Sequence, residues 1–201
     1  MHVEYINREK AFAKCGGCIF QAPHLPKWAH DYPTIFLQAA DEYEGVGNRR
    51  YMEIEFALPN KFKTLEQYRQ IIDSFIAKHL PDNYYAYAIH NKIGVMSEGQ
   101  HHPHVHIMLS ERIIDDVKKT KERTDSNFFK YPAQKIRMAL NRLLRKAGIR
   151  ALKNSKWARN GYLTELQAEF AQIQNEILEQ NEMAIHSSRA FSIAYTKNMS
   201  A

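Results

Sequence analysis

The stretch His102-Pro-His-Val-His-Ile-Met-Leu-Ser-Glu-Arg112 decides the fold, because its middle alternates polar and apolar residues with a period of two. In a strand, side chains two apart project from the same face. His104 and His106 therefore point together, while Val105, Ile107 and Leu109 point the other way into a core. A second run, Tyr84-Tyr-Ala-Tyr-Ala-Ile-His90, reads as a strand that ends in a third histidine. Gly94, Gly99 and Pro103 lie between the two runs and suit a loop that folds the chain back. His90, His104 and His106 are then three imidazoles converging on one point with coordination positions left open. Such a set builds a Lewis-acid site for one divalent ion rather than a closed structural site. The adjacent His101 and His102 allow a plainer reading, a solvated histidine-rich loop that takes up metal incidentally. Against it, His104 and His106 sit within apolar strand sequence, where an unpaired imidazole is costly to bury.

Working outward, Arg50-Tyr-Met-Glu-Ile-Glu-Phe-Ala-Leu58 also alternates and stops at Pro59, so it reads as a strand. Tyr51, Glu53 and Glu55 share one face of it, and Met52, Ile54 and Phe56 the other. Ligating histidines usually donate their second ring N–H to a carboxylate or carbonyl. One of Glu53 and Glu55 is therefore expected to orient a ligand, and Glu55 is counted among the catalytic residues. Thr64-Leu-Glu-Gln67 is a capping box that opens a helix to about residue 78, with Ile71, Ile72, Phe75 and Ile76 at helical spacing. Thr34 to Glu44 reads as a helix closed by Gly45 and Gly47, after a proline-punctuated loop from Ala22 to Pro33. A short helix is expected over the first dozen residues, ending near Gly16-Gly17. Beyond Arg112, residues 113–131 read as a mobile loop around the charge-dense stretch Asp116 to Asn127. A helical C-terminal part over 132–183 holds helices at about 132–147 and 160–180, and Ala190-Phe-Ser-Ile-Ala-Tyr195 suits a last strand. The order implies one α+β domain over 1–201, a two-layer arrangement of a central antiparallel sheet backed by helices.

Composition narrows the function classes. Hydrophobic residues make up 44% and charged residues 25%, an ordinary globular balance. No apolar run reaches the length of a membrane span, and the N-terminus lacks a signal-peptide pattern, so a cytoplasmic location and no membrane partner are expected. The net charge of +6 favours a polyanionic partner, although a mildly basic enzyme without one has the same balance. Cys15-Gly-Gly-Cys18 with His24 and His30 forms C-x2-C-x5-H-x5-H, a set with the ligand types for a structural zinc but not the spacing of a standard finger. Two reduced thiols in a loop is the expected state.

A three-histidine site on a basic chain points to phosphodiester chemistry, in which the metal offsets charge building on a scissile phosphate. The nucleophile is then a water or a side chain such as tyrosine, and the 11 tyrosines present mean that their number selects none. Resemblance to a known family does select one. Ala88-Ile-His90 with the 102–112 stretch resembles the "HUH" motif of plasmid mobilisation relaxases of the MobA/MobL type. Gln38-Ala-Ala-Asp-Glu-Tyr-Glu44 and Arg50-Tyr-Met-Glu-Ile-Glu-Phe-Ala-Leu-Pro59 are similar to the family's run between these motifs, and Glu4-Tyr-Ile-Asn-Arg-Glu9 resembles its tyrosine segment. Residues 4–112 carry the likeness, and Phe128-Phe-Lys-Tyr131 and the helices around Trp157 follow it more loosely.

The resemblance implies an HUH-type fold, Tyr5 as nicking nucleophile, and His90, His104 and His106 as ligands of one divalent ion (Mn²⁺, Mg²⁺ or Zn²⁺). The implied reaction is nicking and rejoining of single-stranded DNA at a transfer-origin site through a 5′-phosphotyrosyl intermediate. It also implies accessory mobilisation proteins and a conjugative coupling protein as partners. Arg8, Lys118, Lys119, Lys121, Arg123, Lys135 and Arg142 are the candidate phosphate contacts. Tyr32, Tyr43 and Tyr51 are weaker nucleophile candidates, read as loop or packing residues. The family carries a strand before its tyrosine, a sheet position that Ala190 to Thr196 is the candidate to fill. Two other functions fit the same motif. One is a replication initiator or transposase, where the tyrosine helix generally follows the histidine pair. The other is a non-cleaving remnant that binds metal and DNA without that first strand.

Overall fold

A computed structural model describes residues 18–44, 49–93, 101–114, 128–129, 155–181 and 191–197. Among them the regular elements run β1 (Cys18–His24), α1 (Pro33–Tyr43), β2 (Arg49–Ala57), α2 (Leu65–His79), β3 (Asn83–Ile93), β4 (His101–Ile113), α3 (Tyr162–Gln180) and β5 (Phe191–Lys197). The strands form one sheet in the order β1-β3-β4-β2-β5, every neighbouring pair antiparallel. The fold is α+β, with the two helices α2 and α3 laid on one face.

Alternation in β2 and β4 dictates which face that is. Ile54 pairs with Ile107 and Phe56 with Val105, which puts their side chains on a common side. There they meet Ile89 of β3, Ile71, Ile72 and Phe75 of α2, and Leu166, Phe170 and Ile177 of α3. Each such side chain gains roughly 1.5–3 kcal/mol on leaving water, so this layer dominates the stability. Phe56 lies flat against Phe170, ring centroids 3.6 Å apart, and edge-on to Phe75 at 4.8 Å. The helix α2 starts at the expected capping box: the Gln67 N–H donates to Thr64 Oγ1 at 3.3 Å, and the Thr64 N–H donates to Gln67 Oε1 at 3.2 Å.

The opposite face carries the histidines, and among the described residues α1 and Phe128–Phe129 cover part of it. Pro33 occupies the start of α1, where its missing N–H costs nothing. Phe36, Leu37, Ala39 and Ala40 then pack over Tyr51, Tyr84, Ala88 and Met108 of the sheet. Phe128 and Phe129 complete this aromatic layer and are fully buried. The expected loop over 113–131 is thus firmly held at its margins: Ile113 closes β4, and the Ile114 N–H donates to the Asp82 carbonyl at 2.7 Å.

Several other expectations are corrected at their ends. Ala22, Pro23 and His24 belong to β1 instead of a loop, because β1 has β3 alone beside it among the described residues and a one-sided strand tolerates proline. β3 and β4 are longer than their apolar runs, and Pro103 lies within β4. The last strand is present as β5, paired with β2 from Arg49 to Phe56. The expected helices over the first dozen residues and 132–147, and the stretch Asp116 to Asn127, lie outside the described residues. No helix among the described residues is long and apolar enough to cross a membrane.

The α2–α3 contact carries a titratable group. His79 is buried at the end of α2, its Nε2 3.0 Å from Glu169 Oε2 of α3, with Lys78 and Lys156 nearby. Burial lowers the pKa of the imidazole, outweighing the pull of Glu169, while the Lys78 ammonium lowers that of Glu169. An unfolded chain therefore takes up protons first as the solution is acidified. The stability from neutral His79 is complete above the ordinary histidine value of about 6.5 and is lost as pH falls below it; that from Glu169 is lost at still lower pH. The thermal midpoint is expected to fall between about pH 7 and pH 5, and by less in His79→Gln. Equal midpoint losses in the two proteins would remove His79 from the explanation.

Candidate metal centre

Strand register brings the three histidines together. His90 of β3 is the direct cross-strand partner of His104 on β4, and His106 follows two residues later on the same side. The ring centroids are 5.4 Å (His90–His104), 4.8 Å (His90–His106) and 5.0 Å (His104–His106) apart. One nitrogen from each ring lies within 4.8 Å of the others. His90 and His106 are buried, whereas His104 is half-buried at the mouth of the cluster.

The hydrogen bonds fix how two of these rings present themselves. His106 Nδ1 lies 2.7 Å from Glu53 Oε1, and His104 Nδ1 lies 2.8 Å from the His102 carbonyl oxygen. An ionised carboxylate and a carbonyl only accept, so each Nδ1 carries the proton and donates it. The neutral ring then keeps its lone pair on Nε2, which is the form a metal requires. These residues fit a divalent ion: three neutral imidazoles within reach of one centre, two of them held in the ligating tautomer. The donor set suits Mn²⁺, Co²⁺, Ni²⁺ or Zn²⁺ better than Mg²⁺ by ligand softness.

Of the two β2 glutamates on the histidine face, Glu53 hydrogen-bonds the ligand His106. Glu55 stands directly across from His106 in the β2–β4 register, half-buried on the same side. The Glu53 contact is diagonal, since the residue opposite Glu53 is Met108. Replacing Glu53 by glutamine keeps its shape but removes the charge that strengthens the imidazole as a donor. We expect Glu53→Gln to bind Mn²⁺ about 10- to 100-fold more weakly by calorimetry. Unchanged affinity would mean that the carboxylate does nothing for the ion.

The other sequence candidates divide clearly. Tyr5, Arg8, Lys118, Lys119, Lys121, Arg123, Lys135 and Arg142 lie outside the described residues. Tyr43 and Tyr51 pack in the aromatic layer, and Tyr51 is four residues along β2 from Glu55, about 13 Å of strand. Tyr32 is exposed just before α1. Tyr85 and Tyr87 lie on the opposite face, where burial raises their pKa, that of Tyr87 to about 12. Cys18 opens β1 and His24 ends it, six residues or about 20 Å apart in an extended strand, so the two cannot share one zinc ion. Cys15 lies outside the described residues. Sequence reading missed a buried ion pair at the far end of the same face, Arg112 with Glu44, because no local pattern marks two charges 68 residues apart.

A family model described as the MobA/MobL family matches residues 1–192. The chain belongs to the MobA/MobL family. Two relatives resemble this MobA/MobL chain over somewhat less than two thirds of its length. The "43 kDa relaxation protein" of Salmonella typhimurium is 35% identical over 126 residues, 61% of this chain and 33% of the relative. "Mobilization protein A" of Escherichia coli is 34% identical over 129 residues, 63% of this chain and 17% of the relative. The chain thus spans only a minor part of either relative. A solved structure named for the molecular basis of vancomycin resistance transfer in Staphylococcus aureus superposes with a TM-score of 0.54 at 16% identity, covering 89% of this chain and 78% of that one. The shared fold is the content of that match.

Proposed function

We propose that this chain is a mobilisation relaxase module that nicks and rejoins single-stranded DNA at a transfer origin. The observation that carries the reading is the three-histidine cluster, with two rings fixed in the ligating tautomer, in a chain of the MobA/MobL family. The names of the two relatives, a relaxation protein and a mobilisation protein, support it.

His90, His104 and His106 would hold one divalent ion, which would supply positive charge against that of the scissile phosphate. Tyr5 is the nucleophile. Its phenol is protonated at neutral pH, with an ordinary pKa near ~10, so attack needs a proton acceptor, and Glu55 is the carboxylate we assign to that role. The Tyr5 oxygen bonds to phosphorus, the bond from phosphorus to the 3′-oxygen breaks, and that oxygen takes a proton from water so that the strand leaves with a free 3′-hydroxyl. Attack by a 3′-hydroxyl on the phosphotyrosyl ester reverses the step, and no ATP is consumed because each ester bond broken is matched by one formed. Arg8, Lys118, Lys119, Lys121, Arg123, Lys135 and Arg142 track the DNA backbone, so affinity should fall with added salt.

Incubation with Mn²⁺ and a single-stranded transfer-origin oligonucleotide, followed by denaturing electrophoresis and peptide mass spectrometry, tests this directly. The expected product is a covalent adduct mapping to Tyr5 and absent in Tyr5→Phe. DNA binding without any adduct would instead favour a non-cleaving remnant, and an adduct on another tyrosine would remove Tyr5 from its role.

A further inference from the structure

The step from His102 to His104 has a geometry that a regular strand does not produce. In a pleated strand the carbonyls lie near the sheet plane and aim at neighbouring strands, while side chains stand off the faces. Here the His104 ring, on the face, donates to a carbonyl of its own strand two residues back, at 2.8 Å. The register sets His102 opposite Lys92 of β3, and its carbonyl also offers a lone pair to the His104 ring. The residue between the two is Pro103, whose ring locks φ near −65° where an antiparallel strand prefers about −140°. A proline also confines the residue before it, His102, to extended backbone.

The surroundings hold Pro103 in place. It is buried and stands opposite Asn91 of β3, and its carbonyl accepts from the Leu58 N–H at 2.8 Å, just beyond the end of β2. In an antiparallel strand a residue's N–H and C=O point to the same side. The N–H that Pro103 lacks would therefore face Leu58, one residue past Ala57, the last paired residue of β2. A proline there forgoes only the reciprocal bond of one rung, at the very end of the β2–β4 pairing.

We propose that Pro103 is a positioning residue for the metal centre: by fixing the His102–Pro103 peptide it aims the His102 carbonyl at His104 Nδ1, and so holds His104 in the tautomer whose lone pair is on Nε2. The inference rests on the metal reading above. It gives the two strand-mate ligands separate supports, a carboxylate from β2 for His106 and a main-chain carbonyl from β4 itself for His104. The backbone support matters more for His104, because that ring is the more exposed of the two and has less packing to orient it.

The test compares wild type with Pro103→Ala and with Pro103→Val, the latter keeping strand preference should the alanine variant fold poorly. Long-range ¹H–¹⁵N spectra of the metal-free proteins read the tautomer of His104. We expect Nδ1–H in wild type and a shift in both variants towards Nε2–H, the form favoured by a free imidazole side chain in water. Titration with Co²⁺, followed by its visible absorption, should show affinity about 10- to 100-fold lower in the variants. An unchanged tautomer and unchanged Co²⁺ affinity in the folded variants would overturn the proposal, as would a lowered metal-free thermal midpoint with affinity intact. A wild-type protein that takes up neither Co²⁺ nor Mn²⁺ would overturn the metal reading itself, a failure visible without any variant.

Discussion

Replacing His104 by alanine is expected to lower nicking of a single-stranded transfer-origin oligonucleotide by at least about 10³-fold, because two imidazoles do not retain the ion under working conditions. Lewis-acid stabilisation of a phosphoryl transition state is worth several kcal/mol, and about 4 kcal/mol corresponds to three powers of ten in rate. His104 is the cleanest site for the experiment. It is half-buried, and its Nδ1 partner is a main-chain carbonyl at the open end of the strand, so truncation leaves no buried charge behind. His106→Ala should show the same loss of rate with an added loss of stability, since it takes a hydrogen-bond donor from the Glu53 carboxylate, which is itself buried. Chelation of the wild-type protein should reproduce the catalytic defect without the stability defect. Circular dichroism of the His104 variant checks that the sheet is intact, and full cleavage by both alanine variants would remove the metal from the chemistry.

The contrast between the two histidines shows where sequence is legible and where it is not. Alternation alone places His104 and His106 on one face and Val105, Ile107 and Leu109 on the other, and the β2–β4 register agrees residue by residue. The α2 start is equally readable, since Thr64 and Gln67 carry out both halves of the capping box locally. Choosing between Glu53 and Glu55 is another matter. Both have the same parity on β2, so a period-two pattern cannot separate them. The choice depends on a side chain leaning along its strand to a diagonal neighbour, and that offset is set by the pairing between strands. β1 was hidden for a related reason: Pro23 and the preceding Cys15-Gly-Gly-Cys18 read as loop signals, and only the sheet's edge makes a strand there acceptable. Likewise, nothing in α1 announces that it packs on the histidine side while α2 and α3 pack on the other, because all three are amphipathic helices.

The largest stability effect is expected at the ion pair that neither charge advertises locally. Arg112 ends up on the histidine face at the far end of β4, 1% exposed, with Glu44 just after α1 as its partner. Arg112 Nη2 donates to Glu44 Oε1 at 2.8 Å and Oε2 at 2.9 Å, Nε donates to Oε2 at 3.3 Å, and Nη2 also reaches the Phe129 carbonyl at 3.3 Å. One guanidinium thus ties β4, the end of α1 and the aromatic cover into a unit. Burying two charges is expensive, and their attraction roughly repays that cost, so the pair as a whole adds little net stability. Removing one partner is different, because the buried Glu44 carboxylate then loses its guanidinium. Arg112→Ala is expected to cost about 3–5 kcal/mol in urea unfolding, a large share of the 5–15 kcal/mol typical of a whole domain. The double variant Arg112→Met with Glu44→Leu should recover most of that loss, since apolar side chains of similar volume fill the space without a charge. If Arg112→Ala loses less than about 1 kcal/mol, or the double variant is no better than the single one, then the pair is not the desolvated lock described here, and the aromatic layer must hold α1 on the sheet by packing alone.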